Sequence, residues 1–244
     1  LLGTSLVLKR YSMIGNGLSH VGFAALAVAY AFHAQPLSVA IPACIAAAFL
    51  LLQIKDSARI KGDSAVALLC SGALATGVMT ISLTTGMNTD VCNYMFGSIL
   101  AMSKGDVWLS VILGIAVVIL FVLFYNRIFA VTFDEAFATA TGTRTRLYHM
   151  IIALLTAVTI VLGMRMMGAL LISSLIIFPS LTAMQLCSRF KTTVLLSAVL
   201  SVLSFMAGIT ISYVGSVPTG ACIVVCDIFL LAGAVLLRKW KEGF

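Results

Sequence analysis

Nine runs of apolar residues, separated by stretches that hold nearly all the charge, leave this chain few ways to fold. They cover about 1–8, 18–32, 37–52, 65–85, 107–125, 148–162, 169–186, 193–213 and 219–237. In hydrocarbon a backbone must satisfy its polar groups within its own segment, so such runs become helices. Crossing ~30 Å of hydrocarbon takes roughly 20 residues. Runs 18–32 and 148–162 fall short of that length, which predicts a break, a tilt or a partial crossing. Run 1–8 reads as the remnant of a first helix whose beginning is missing. The expected fold is all-α: one polytopic transmembrane bundle over 1–244, of eight helices give or take one. Composition agrees, with 61% hydrophobic and 9% charged residues, where a soluble domain carries roughly a quarter charged.

Charge sets the orientation. Of the fifteen Lys and Arg, thirteen lie in alternate connections. These are Lys9 and Arg10; Lys55, Arg59 and Lys61; Arg127, Arg144 and Arg146; Arg189 and Lys191; and Arg238, Lys239 and Lys241. The other connections hold only Lys104 and Arg165. The first set therefore faces the cytoplasm. The net charge of +7 is accounted for by this topology and implies no nucleic-acid partner. Membrane lipid is the solvent that such a surface needs. Six cysteines are scattered with no CxxC pair, and they read as small buried hydrophobes.

Few polar groups lie inside the apolar runs. Asn16 and His20, in GNGLSHVGFAALAVA, are one helical turn apart on one face. A histidine and an amide within a membrane helix point to a polar path. Asp227, in the last run, is an intramembrane carboxylate and a second candidate for that path, or else a structural hydrogen-bonding group. Asp90 lies on an outer segment, 86–106, where an acid can help receive a cation, or else is simply a solvated loop acid. That segment is too long for a tight turn and too apolar to be freely solvated, so a re-entrant or surface-lying helix is expected. Met164, Met166 and Met167 near an outer turn read as flexible packing, with a soft-metal site as the alternative. His33 and His149 read as structural. Pro179 is expected to kink its helix, with Ser174, Ser180 and Thr182 at hand to satisfy the freed backbone.

The cytoplasmic segment NRIFAVTFDEAFATATGTRTRL, 126–147, carries a second signal. Thr132 is expected to cap a short helix, with Asp134 and Glu135 in its first turn and Gly142 as its stop. Phe133, Phe137 and Ala140 would then share one face. An amphipathic helix displayed there is a docking element for a partner, or else lies at the lipid interface. No GxxxxGKS, HExxH or GxSxG motif is present, so the sequence carries no signature of an ATPase, zinc protease or esterase.

Five stretches, in order, resemble one family: the permease subunit of bacterial zinc, manganese or iron ABC importers. They are SMIGNGLSHVGFAALA, NYMFGSILAMSKGD, TFDEAFATATG, VLGMRMMGALLISSLIIFPSLTA and SYVGSVPTGACIVV. The resemblance implies a plasma-membrane permease homodimer with cytosolic ATP-binding subunits and an external metal-binding protein. It implies import of a divalent ion by alternating access, with ATP hydrolysis on another chain and no permanently bound cofactor. Phe133, Asp134, Glu135, Phe137 and Gly142 would belong to the coupling helix that seats in the ATPase. An aspartate usual in the family's first motif is replaced here by Asn16, while His20 is retained. Imidazole with few carboxylates suits zinc better than manganese. The rival from another class is a self-sufficient secondary transporter or channel, for which only Asp227 offers a midplane charge.

Overall fold

A computed structural model describes residues 1–9, 12–56, 62–84 and 104–242. Among them the chain forms eleven helices and no strand. Seven are long and apolar enough to cross a membrane, or eight if one bent pair counts as a span.

The centre is α2 (Ser12–Ala31). Two thirds (67%) of its span is buried inside the protein, against 17% to 44% for the other spans. Gly and Ala are what allow this, because small residues let helix backbones approach where lipid offers no hydrophobic drive to pack. On one side lies α3 (Pro36–Asp56), whose buried Ala40, Cys44, Ala47 and Ala48 form a small-residue stripe. The Cys44 thiol donates to the Leu18 carbonyl at 3.5 Å. On another lies α4 (Gly62–Leu83). A Cβ on Gly17 would stand 3.1 Å from Val66, and one on Gly77 would stand 2.5 Å from the Phe23 ring and 3.2 Å from the Ala24 Cα. The exposed side of α4 carries Leu68, Met79 and Leu83, and its Thr76, Thr80 and Thr84 hydroxyls donate to carbonyls one turn back. These threonines bring no unsatisfied hydroxyl into the membrane.

The remaining helices close around α2. Helix α1 (Leu2–Leu8) crosses α9 (Ala169–Leu186) where Gly3 lies against the Ile176 carbonyl, and its Thr4 hydroxyl is 3.3 Å from that of Ser197. Helix α5 (Lys104–Leu123) is followed by α6 (Tyr125–Phe133), bent by 67° at the junction. Helix α7 (Glu135–Ala140) is short. Helix α8 (Thr145–Met167) sets Met164 over Gly22 of α2, where a Cβ would stand 2.6 Å from the methionine methyl. A one-residue turn at Gly168, φ 87° and ψ 160°, joins α8 to α9 (Ala169–Leu186). Those angles are open essentially to glycine alone. Helices α10 (Phe190–Gly215) and α11 (Thr219–Glu242) complete the bundle.

Two expectations change. The runs read as short, 18–32 and 148–162, are full-length helices α2 and α8. Their helices continue through polar residues such as Asn16 and Arg146, which hydropathy alone excludes. Residues 126–133, read as part of a cytoplasmic connection, belong to α6. Its Phe129 and Phe133 rings pack on Phe190 of α10, with centroids 5.2 and 5.7 Å away. Met164 is fully buried, which is the packing role. Pro179 sits within a continuous α9, with Ser174 and Thr182 donating to the carbonyls of Leu170 and Phe178.

Candidate functional site

Asn16, His20 and Ala24 follow one another at four-residue steps along α2. Asn16 Nδ2 lies 3.8 Å from the Cys70 thiol of α4, and Ala24 lies beneath Gly77 of the same helix. His20 therefore sits on the α4-facing side of α2, between those two contacts. It is half-buried. Eight residues into a 20-residue helix, its Cα stands roughly 12 Å from the cytoplasmic end. Ser19 beside it spends its hydroxyl on the Asn16 carbonyl at 2.8 Å, which leaves the imidazole, amide and thiol as the polar groups of this stretch. Among the described residues no three His, Cys, Asp or Glu side chains gather as a closed metal cage. A lone histidine flanked by an amide and a thiol can ligate an ion only weakly, which suits a path better than a store.

Asp227 lies elsewhere. It is 1% exposed on α11, with Ser204 of α10 as its hydrogen-bonding neighbour and its Oδ2 unpartnered. Helix α9 packs against both α2 and α11, and so stands between Asp227 and His20. The α10–α11 crossing that holds Asp227 has a regular register. Ser204 meets Asp227, Gly208 meets Ile223, and Ser212 meets Thr219, with the last two hydroxyls 2.9 Å apart. Ser204, Gly208 and Ser212 form a small-residue stripe of four-residue period, a pattern visible in the sequence and missed there. Asp90 lies outside the described residues.

The cytoplasmic element differs in detail from expectation. Its cap is Asp134, extended at φ −143°, whose carboxylate accepts from the Phe137 amide at 2.9 Å. Thr132, expected as the cap, lies inside α6 instead. Phe133 and Phe137 consequently belong to different helices and do not share one helical face with Ala140. Gly142 closes α7 at φ +81°, as a stop glycine does. Only Ala138 of α7 is buried, while Phe137 is 63% exposed. Arg127 braces the connection behind it, donating to the Thr143 hydroxyl at 3.0 Å.

Glu135, at the start of α7, is tied to the bundle. His149 Nε2 is 2.9 Å from one carboxylate oxygen, and Lys9 Nζ is 3.7 Å from the other. Lys9 Nζ is also 3.0 Å from His149 Nδ1. Sequence reasoning used Lys9 only for topology and took His149 as structural. No spacing rule joins residues 140 positions apart.

Comparison with known proteins gives a consistent picture. A family described as the ABC 3 transport family matches residues 1–238. A protein named manganese transport system membrane protein MntC, from Halalkalibacterium halodurans, is 29% identical over 248 residues, covering 98% of this chain and 85% of that protein. The Haemophilus influenzae protein named high-affinity zinc uptake system membrane protein ZnuB is 26% identical over 241 residues, covering 98% and 91%. Among solved structures, PsaBC from Streptococcus pneumoniae in complex with Fab superposes with a TM-score of 0.85 at 27% identity, covering 96% of this chain and 84% of that one.

Proposed function

The chain belongs to the ABC 3 transport family, and from that premise we propose that it is the permease subunit of an importer carrying a divalent transition-metal ion into the cytoplasm. The observation that carries this reading is the extent of the family match, residues 1–238, through every helix of the bundle. The chain is a multi-pass protein of the bacterial plasma membrane. Separate cytosolic ATPase subunits supply the energy, a second copy of the permease completes the path, and an external metal-binding protein delivers the ion.

In this reading α7 is the coupling helix. Asp134 fixes its start, Gly142 its end, and the exposed Phe137 ring is the anchor that enters the ATPase. Outward opening receives the ion and inward opening releases it. His20, with Asn16 and Cys70 alongside, offers a brief stop between the two. Zinc is the preferred cargo, because imidazole, amide and thiol form a softer set than the carboxylates that favour manganese. Asp227, across α9, holds helices together rather than ligating the ion.

The test is capture of the ATPase subunit by a tagged permease. Phe137→Asp is expected to lower the amount retained about tenfold or more, the loss typical of a buried aromatic anchor. The exposed ring makes folding insensitive to the change. Normal retention in this variant would remove α7 from the coupling role. If the unmodified permease captures no ATPase, the importer reading fails and a self-sufficient transporter takes its place.

A further inference from the structure

Three side chains from three elements meet at the cytoplasmic end of the bundle: Lys9 after α1, Glu135 opening α7, and His149 near the start of α8. Nε2 of His149, 2.9 Å from Glu135, donates its N–H to the carboxylate. Lys9 Nζ lies 3.0 Å from Nδ1 and 3.2 Å from Nε2 of the same ring, and so stands over the imidazole rather than in line with one nitrogen. Lys9 and His149 are nearly enclosed, at 8% and 15% side-chain exposure, while Glu135 is 56% exposed. Two fixed groups on the bundle thus grip a carboxylate at the edge of a small surface helix. Separating a partly enclosed ion pair is costly, so displacement of Glu135 pulls on Lys9 and His149 rather than leaving them behind.

What they would pull on is rigid. Helix α1 is seated backbone-close on α9 at Gly3, and α8 presses Met164 onto Gly22, two residues from His20. We propose that Lys9, Glu135 and His149 form the tie through which movement of α7 is passed to α1 and α8, and so to the helix that carries His20. The inference rests on the reading of α7 as the coupling helix. Lys9 and His149 are positioning residues in it and touch neither the cargo nor the ATPase.

The experiment uses the whole complex, with ATPase subunits and binding protein, in proteoliposomes. It counts zinc ions moved per ATP hydrolysed for the wild type, Lys9→Met, Lys9→Arg and His149→Gln. Lys9→Met and His149→Gln are expected to hydrolyse ATP yet move about three- to tenfold fewer ions per ATP, in the range of mutations that alter coupling between distant sites. Lys9→Arg keeps the charge and most of the ratio. A merely structural ion pair would lower both rates together and leave the ratio unchanged, which overturns the proposal. A second readout needs no cargo: the distance between spin labels at the exposed positions Leu68 on α4 and Leu154 on α8, with and without ATP. It should change in the wild type and in Lys9→Arg and stay fixed in Lys9→Met. An equal change in Lys9→Met overturns the tie. A wild type that shows the label change but moves no zinc contradicts the cargo and leaves the tie standing.

Discussion

Replacing His20 by alanine is expected to lower zinc uptake about tenfold or more while leaving the amount of permease in the membrane unchanged. The imidazole is the transition-metal ligand of the proposed path on α2, and its neighbours are an amide and a thiol. Partners one shell further out than a ligand already carry about 10–100-fold in affinity or activity, so loss of the ligand itself should be at least as costly. The fold should bear the change. His20 is half-buried, and alanine favours helix in the same Gly- and Ala-rich stretch. Uptake is measured in cells that also express the ATPase and binding protein, with membrane levels read by immunoblot. Full uptake by this variant would move the stop away from α2. Asn16→Asp gives the complementary result. A carboxylate one turn from His20 adds negative charge and a hard oxygen ligand, which favours manganese over zinc. Competition between the two ions should therefore shift toward manganese in Asn16→Asp. An unchanged competition profile would separate Asn16 from the path.

How much of this could be read from the chain follows from the range of the forces involved. Membrane spans are written locally, because every residue of a lipid-facing helix must satisfy the same solvent, and eight of the apolar runs fall where long helices stand. The errors lie where tertiary contacts override that local signal. The start of α2 carries Asn16 between two glycines and falls outside the apolar run, yet Gly17 is pressed against Val66 and Asn16 meets Cys70 of α4. Helix α6 bends away from α5 and is held by Phe190, which lies on another helix. The short cytoplasmic helix was visible in composition, but its boundary was not. Thr132 and Asp134 are both good capping residues, and only the extended backbone at Asp134 distinguishes them. At the candidate site, Asn16 and His20 were legible because a helix sets them one turn apart. Cys70 was not, because a thiol in an apolar run looks the same whether it faces lipid, a neighbouring alanine or an amide. The Ser204, Gly208 and Ser212 stripe was available in the sequence, since its four-residue period is the spacing of a close helix crossing.

That crossing carries the largest expected effect on stability. Gly208→Val is expected to lower the melting temperature of the purified permease by roughly 2–12 °C. A Cβ at position 208 would lie 2.8 Å from the Ile223 backbone nitrogen and 2.6 Å from its Cα. A side chain can rotate away from such an approach, but a helix backbone cannot, so α10 and α11 must part. Overpacking of this kind costs about 1–3 kcal/mol in well-packed interiors, and each kcal/mol is worth roughly 2–4 °C in a chain of this size. The damage spreads along the register. Ser212 would be drawn from Thr219 on one side, and Asp227 from Ser204 on the other, so a buried carboxylate whose Oδ2 is already unpartnered would lose its Ser204 hydrogen bond as well. Gly233→Ala on α11 is the control. Nothing lies within 4 Å of a Cβ there, so its melting temperature should match the wild type or rise slightly. If Gly208→Val melts with the wild type, the crossing is looser than drawn and Asp227 has room for water. Asp227 would then have to be tested as a second stop for the ion beside His20.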